Sequence, residues 1–346
     1  MRIHSTAFLA ALALTATACS DDAPTGVSGD EAAVQQAYLD VDAGYFDENP
    51  GGDDILEGAA LTSSPGLYSA PGDPYVAPEH WGRRRAPVRP SRDRVVVIEG
   101  DTAKVAVAVR FDGRFLVDTT FDGVLNPGAK PMHETLRHRA VFVKDSTAPR
   151  GWRLVGMSIG NIVDSDPARR TVQITSMAVA VNGVAIGTVT DPDHVYPLDG
   201  GVPTLHLGDS VVVTVAVTNT TGTDLVPPTQ LFLHVRHCRA DRDAWFRLPM
   251  HNNGDGTWTI GWTVRRPGIA RMAVDAIDSE ALQTQGGDNY RSNIWAFPYR
   301  SVQWPLPAGE TAGPGEHPGA GRFRLRYSLT ICYTFVTTLP GAWPTG

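Results

Sequence analysis

Residues 102–110 carry the sequence TAKVAVAVR, and this stretch decides the predicted fold of the chain. Its three valines occupy every second position, with Lys104 and two alanines between and before them. Side chains of a β-strand point alternately to opposite faces, so this pattern predicts a strand with one apolar face. Asp112-Gly113 follows, a residue pair typical of tight turns, and Arg114–Asp118 then predicts the returning strand of a hairpin.

Strand patterns continue on both sides of this stretch. Val95–Ile98 lies upstream, and Thr135–Lys144 and Trp152–Ile162 lie downstream, separated by the turn-like segment Asp145–Gly151. The chain therefore predicts several long antiparallel strands in succession.

A helix precedes these strands. Ser28 and Glu31 have the spacing of a capping box. Apolar residues then recur at steps of three and four, as they do on one face of a helix: Val34, Tyr38, Val41 and Tyr45. One helix followed by several long strands predicts an α+β domain, built as a curved antiparallel sheet with N-terminal helices.

The order of these elements resembles the nuclear transport factor 2-like superfamily, in which a curved sheet wraps around N-terminal helices to form a cone. The helix Glu31–Phe46, the hairpin Val105–Val117 and the closing strands Arg137–Val143 and Gly151–Ser158 carry the resemblance. It covers residues 30–163, with a Pro- and Gly-rich insertion at about residues 49–92. The resemblance implies a cone-shaped α+β domain whose pocket carries catalytic Asp and His residues in the enzymes of the superfamily.

The second part of the chain consists almost entirely of strand and turn patterns. Val211–Thr218 is apolar on both faces, and Asn253–Gly256 is a strong turn signal. The segments Asn253–Thr259, Gly268–Asp278 and Trp295–Tyr299 look like the late hairpin and last strand of bacterial immunoglobulin-like domains. On these segments, residues 171–302 resemble such domains, which implies an all-β sandwich used for spacing, adhesion or binding. Residues 303–346 form a Pro- and Gly-rich tail, in which Arg322–Thr338 is either an extra edge strand or an unpacked end.

The N-terminus has the pattern of a bacterial lipoprotein signal. Arg2 is followed by an apolar run, and small residues precede Cys19, which predicts a signal peptide over residues 1–18 and lipidation of Cys19. Residues 19–29 would be a tether. We therefore expect attachment to the membrane through an N-terminal lipid, in the cell envelope and at the outer membrane, on its periplasmic or surface face. The alternative is an ordinary cleaved signal peptide.

The cysteine content indicates the compartment of the protein, and the net charge limits its classes of partner. After lipidation, Cys238 and Cys332 remain as a pair that an oxidising compartment can join in a disulfide; two separate thiols are the alternative. The formal net charge of −7 argues against nucleic acid as a partner. The basic cluster Arg83–Arg85, with Arg89, Arg92 and Arg94, lies among prolines and is expected to be a solvated linker face; a binding patch is the alternative.

Candidate catalytic residues lie in the predicted cone. His133 and His138, with Asp118, Tyr38 and Tyr45, are the candidates for a general acid–base pocket because imidazole titrates near neutral pH. Structural histidines are the alternative. His234, His237 and Cys238 do not share one strand face, so we expect no metal site there, and no cofactor is expected.

Candidate binding residues are aromatic. His80, Trp81 and Trp245 are the candidates for contacts with a sugar or a protein. Core packing is the alternative. A carbohydrate-binding surface would also need solvent-facing tryptophans among Trp258, Trp262 and Trp295.

These observations predict a lipid-anchored cell-envelope protein that acts as a non-catalytic binding or assembly module, with an envelope protein or a glycan as partner. Two alternatives remain open. One is a small-molecule enzyme of the lyase, isomerase or hydrolase type that uses the cone pocket. The other is a carbohydrate-binding surface module.

Overall fold

The computed structural model describes residues 29–45, 80–86, 91–120, 122–198, 203–238, 243–265 and 268–302. The predicted signal peptide, Cys19, most of the tether, Cys332 and the tail after residue 302 lie outside these ranges, as does most of the predicted insertion. Within the described ranges, no helix combines the length and apolar character needed to cross a bilayer.

The described chain is mostly β-structure. It contains two α-helices, α1 (Gly29–Tyr45) and α2 (Ser279–Gln283). The strands are β1 (His80–Arg85), β2 (Ser91–Glu99), β3 (Thr102–Asp118), β4 (Gly128–Lys144), β5 (Trp152–Met157), β6 (Gly160–Asp164), β7 (Val172–Val181), β8 (Val184–Val189), β9 (Tyr196–Pro197), β10 (Thr204–His206), β11 (Ser210–Asn219), β12 (Thr229–Cys238), β13 (Asp243–Pro249), β14 (His251–Asn252), β15 (Thr257–Thr263), β16 (Gly268–Asp278) and β17 (Ser292–Val302).

Twelve of the strands belong to one large sheet. Its main path is β1-β3-β4-β6-β17-β16-β12-β13, and β2, β5, β9 and β10 pair at its sides. The short strand β6 pairs antiparallel with both β4 and β17, so it joins the N-terminal strands to the C-terminal strands in a single hydrogen-bonded sheet.

The strand β3 runs unbroken from Thr102 to Asp118, so the predicted hairpin turn at Asp112-Gly113 is wrong. Gly113 instead lies opposite Arg85 of β1, and a Cβ atom at this position would come within 2.5 Å of the Arg84 carbonyl oxygen. A glycine inside a strand therefore serves here for close approach of a neighbouring backbone rather than for reversing the chain.

The helix α1 covers one face of the N-terminal strands. Val34, Ala37 and Tyr38 are buried against the inward side chains of β3 and β4, which include Val107 and Phe142. This apolar contact accounts for the four-residue spacing of Val34 and Tyr38, whereas the side chains of Val41 and Tyr45 lie outside the described part. The opposite face of these strands has no helix over it within the described ranges.

A second sheet, in the order β14-β15-β11-β7-β8, packs on the C-terminal half of the large sheet. Both sheets contribute buried apolar side chains to one core: Met177, Val213, Val215 and Trp258 from the second sheet, and Leu231, Leu233, Val274 and Trp295 from the large one. Two packed antiparallel sheets form a β-sandwich, as expected for this part of the chain.

The predicted α+β fold class and the resemblance to the nuclear transport factor 2-like superfamily are wrong. The structure is nearly all β with curled antiparallel sheets, and α1 is its one long helix within the described residues, so a cone with several N-terminal helices is not shown. A helix is present where the periodicity predicts one, as α1, but Ser28 of the predicted capping box lies outside the described residues. The predicted closing strand Trp152–Ile162 divides into β5 and β6, and β6 continues the sheet toward β17 instead of closing it. Local periodicity identifies a strand but does not determine its partners.

The substitution Gly113→Ala tests the close approach of β1 to β3. The added methyl group would meet the Arg84 carbonyl, and we expect a loss of about 1–3 kcal/mol in the free energy of unfolding, measured by chemical denaturation. Gly187→Ala in β8 is the matched control, because that strand glycine faces open space. Equal stability of the two variants would contradict the register of β1.

Candidate functional site

A cluster of charged side chains is buried between β1, β12 and β16. Arg83 of β1 forms a bidentate contact with Asp275 of β16, with Nη2 of Arg83 donating to Oδ1 of Asp275 at 2.9 Å. His234 of β12 lies 2.9 Å from Asp275 through its Nε2 atom. All three side chains are fully buried. The predicted solvated arginine cluster is therefore wrong at Arg83, because a carboxylate from a distant strand compensates its charge.

Tyr290 extends this cluster toward β4. Its hydroxyl accepts a hydrogen bond from Nε of Arg83 at 2.7 Å and donates to Glu134 at 2.6 Å. Burial raises the pKa of Tyr290 well above its usual value. Burial alone would also raise the pKa of Asp275, but the charge of Arg83 and the hydrogen bond from His234 lower it overall. The cluster is charged, hydrogen-bonded and closed to solvent, so we assign it to stability rather than to substrate chemistry.

A second contact joins the two ends of the large sheet. The guanidinium of Arg247 in β13 lies 3.4 Å from the ring centroid of Trp81 in β1, and its Nη1 donates to the Trp81 carbonyl at 2.9 Å. Because β1 and β13 are the first and last strands of the sheet path, the sheet curls until its ends meet through side chains. Trp81, a predicted binding residue, is fully buried in this seam against Phe115 and Phe232.

Lys130 of β4 provides a further buried anchor. Its ammonium group donates to the Ala281 carbonyl, to the Thr284 hydroxyl and to the Asn289 side-chain oxygen at 2.6–2.7 Å. Burial lowers the pKa of Lys130 to about 8, although Glu280 opposes this effect. These contacts hold the segment around α2 against β4.

Of the predicted catalytic residues, only His138 and Tyr38 come together among the described side chains, and the side chain of Tyr45 lies outside them. His138 is buried on the inner face of β4, whereas His133 is exposed and lies 2.6 Å from Asp112. Asp118 is eleven positions beyond Val107, the residue opposite His138, which corresponds to roughly 36 Å along the strand.

His138 and Asp118 each have a local structural partner. Nε2 of His138 lies 2.7 Å from the hydroxyl of Tyr38, and burial, with a smaller effect of Arg94, lowers the pKa of His138 to about 3. It is therefore neutral and weakly basic at pH 7. Asp118 accepts hydrogen bonds from Thr120 and from the Asn126 backbone, and these outweigh burial and lower its pKa. His80 lies opposite Asp118 in the strand register.

The other predicted residues lie in the core or outside the described side chains. Trp258 and Trp295 are buried in the sandwich, and Trp262 is partly buried. The backbones of Cys238 and Trp245 belong to β12 and β13, but their side chains are outside the described part, so the disulfide with Cys332 and a contact by Trp245 stay predictions. Among the described side chains, no group of three metal-ligating residues converges.

A shallow trough of about 220 Å³ lies on the outer face of β2, β3 and β4. Ala106 and Ala108 of β3 form its floor, because their small side chains lie between longer ones on both neighbouring strands. Val95 borders it on β2, and Arg137 and Arg139 border it on β4. The trough runs along β3 on the face that α1 leaves uncovered.

Charged side chains of both signs surround the trough. Asp93 lies at one rim, 3.6 Å from Arg110, and Asp193 lies at the other, 3.8 Å from Arg139. Arg137 is exposed and has no ion pair with any described side chain. Burial, with a smaller effect of Arg137, lowers the pKa of Arg170 beyond the trough, and the charges of Asp164 and Asp166 oppose this effect.

The rim that carries Asp193 depends on a glycine in β5. A Cβ atom at Gly156 would lie 2.8 Å from the side chain of Val195. Because glycine has no side chain, the segment around Val195 can pack directly against β5. The strands β5 and β9 then pair at Gly156 and Met157. The sequence offers one signal for the trough, namely the small residues of β3 and the arginines of β4. It does not specify the strand register that places them side by side.

Comparison with known proteins assigns no family. No family model and no curated protein matches the chain. Among solved structures, a pullulanase from Bacillus acidopullulyticus is similar at 8% sequence identity and a TM-score of 0.15, over 57% of this chain. The match spans 25% of the pullulanase chain, and a similarity at this level carries no conclusion about fold or activity.

Removal of the Asp275 charge tests the buried cluster. In Asp275→Asn the buried guanidinium of Arg83 loses its counter-charge, and we expect a loss of about 3–5 kcal/mol in the free energy of unfolding, measured by chemical denaturation. Asp112→Asn, which changes an exposed carboxylate, is the matched control and should cost at most about 1 kcal/mol. A similar small loss in both variants would contradict the assigned role.

The pKa of His138 predicts a pH effect on stability. Between pH 6.5 and about 3 the unfolded chain binds a proton at this residue and the folded chain does not. The free energy of unfolding should therefore fall with falling pH, by up to about 1.4 kcal/mol per pH unit from this residue. His138→Gln removes this contribution, so its slope should be smaller. An unchanged slope in His138→Gln would refute the assignment.

Proposed function

We propose that this chain is a non-catalytic binding module of the cell envelope and that the trough on the outer face of β2–β4 contacts its ligand. The observation that carries the proposal is the exposed Arg137, which has no ion pair among the described side chains, beside a concave floor of alanines. An exposed guanidinium without a counter-charge beside an apolar floor provides both charge and surface for a ligand.

The distribution of polar groups supports binding over catalysis. The cluster around Arg83 and Asp275 is sealed from solvent, and the predicted catalytic residues His133, His138 and Asp118 are spread along β3 and β4. The trough is open and lies on paired strands, a rigid support for a binding surface. The β-sandwich over residues 171–302 supports the further proposal that this half is immunoglobulin-like and serves as a spacer. Envelope attachment through Cys19 rests on the sequence.

Filling the trough tests the proposal. Full-length protein carrying Cys19→Ser, which removes the predicted lipid site, is mixed with isolated envelope fragments from the producing cells, and the sedimented fraction is measured. Ala108→Trp places an indole on the floor and should weaken binding about tenfold or more. Val184→Trp, at an exposed valine of β8 in the second sheet, is the matched control and should bind as the parent does.

Two results would contradict the proposal. One is equal sedimentation of the Ala108→Trp and Val184→Trp proteins, and the other is failure of the parent protein to sediment with envelopes. Unfolding midpoints of the two variants, measured by circular dichroism, establish that any difference arises in binding and not in folding.

A further inference from the structure

We infer that the trough binds a glycan that carries carboxylate groups, with a uronic acid unit seated on Ala106 and Ala108. This inference rests on the proposed binding function and names the ligand class of the same site. Three features of the trough support it: the exposed guanidinium of Arg137, the apolar floor, and the two acidic rims.

Arg137 provides the contact for the carboxylate. Its side chain is exposed at the edge of the trough and makes no ion pair with other described residues. A guanidinium presents two parallel N–H groups that match the two oxygens of a carboxylate.

The floor provides a surface for a sugar ring. Ala106 and Ala108 are consecutive outward residues of β3, and Val95 on β2 lies opposite Ala106 with a side chain that is 59% exposed. Small apolar side chains on adjacent strands make a flat surface on which the C–H face of a pyranose ring can pack. Burial of apolar surface on both partners favours this contact.

The rims distinguish a glycan from an acidic peptide. Asp93 and Asp193 lie 3.6 and 3.8 Å from their arginine partners, which is longer than a hydrogen bond, so their oxygens remain able to accept hydrogen bonds from a ligand. A sugar supplies hydroxyl donors for both carboxylates. A peptide of acidic residues carries carboxylates but no hydroxyl donors for the two rims, and a neutral glycan would leave Arg137 unpaired. A uronic acid unit, with one carboxylate and several hydroxyl groups, satisfies all of these side chains.

The test uses full-length protein carrying Cys19→Ser and tetragalacturonate as the probe, with calorimetric titration at low salt. We expect tetragalacturonate to bind, and we expect Arg137→Ala to weaken binding about tenfold or more. Arg114→Ala is the matched control, because Arg114 of β3 is also an exposed arginine, lies outside the trough, and its loss changes the net charge equally. Arg137→Lys keeps the charge without the two-pronged geometry and should be intermediate.

Neutral galactotetraose and penta-glutamate are titrated separately as comparison probes. Equal binding of galactotetraose and tetragalacturonate would overturn the requirement for a carboxylate, and equal binding of penta-glutamate would overturn the assignment to a glycan. Equal effects of Arg137→Ala and Arg114→Ala would overturn the role of Arg137.

The two proposals can fail separately. If tetragalacturonate does not bind while Ala108→Trp still weakens envelope sedimentation, the ligand class is wrong and the binding function stands. If Ala108→Trp also has no effect on sedimentation, both proposals fail.

Discussion

The bidentate contact between Arg83 and Asp275 joins strands that are far apart in the chain and not adjacent in the sheet. Arg83 belongs to β1, at one end of the sheet path, and Asp275 belongs to β16, near the other end. A buried ion pair gains little over an apolar pair of the same volume, but the loss of one partner leaves a charge without compensation in the core. Folding therefore requires β1 to dock with Arg83 opposite Asp275, and misregistered arrangements carry a large penalty.

The remaining contacts of the seam follow from this one. When Arg83 reaches Asp275, the neighbouring Trp81 enters the apolar cluster with Phe115 and Phe232, and Arg247 covers its ring from the last strand. Tyr290 then connects the same guanidinium to β4. The curled sheet is consequently closed by side-chain contacts between its two ends.

The trough exists because α1 covers one face of the N-terminal strands and leaves the other face exposed. The valines of β3 face inward and are covered by α1, which leaves the alternate alanines outward. Alanines on a central strand leave a depression when the neighbouring strands carry arginine, aspartate or valine. The same two-residue alternation that builds the core thus also shapes the surface to which we assign binding.

The sequence by itself determined the local elements: the helix at residues 29–45, the alternating strand at residues 102–110 and the β-sandwich character of the C-terminal part. These follow from hydrophobic periodicity, which depends on neighbours in the chain. Only the tertiary structure decided that Asp112-Gly113 continues a strand, that Arg83 is buried and that His133, His138 and Asp118 lie apart. Each of these depends on a partner strand distant in sequence, and strand pairing is set by packing and charge compensation between such partners, which no local pattern encodes.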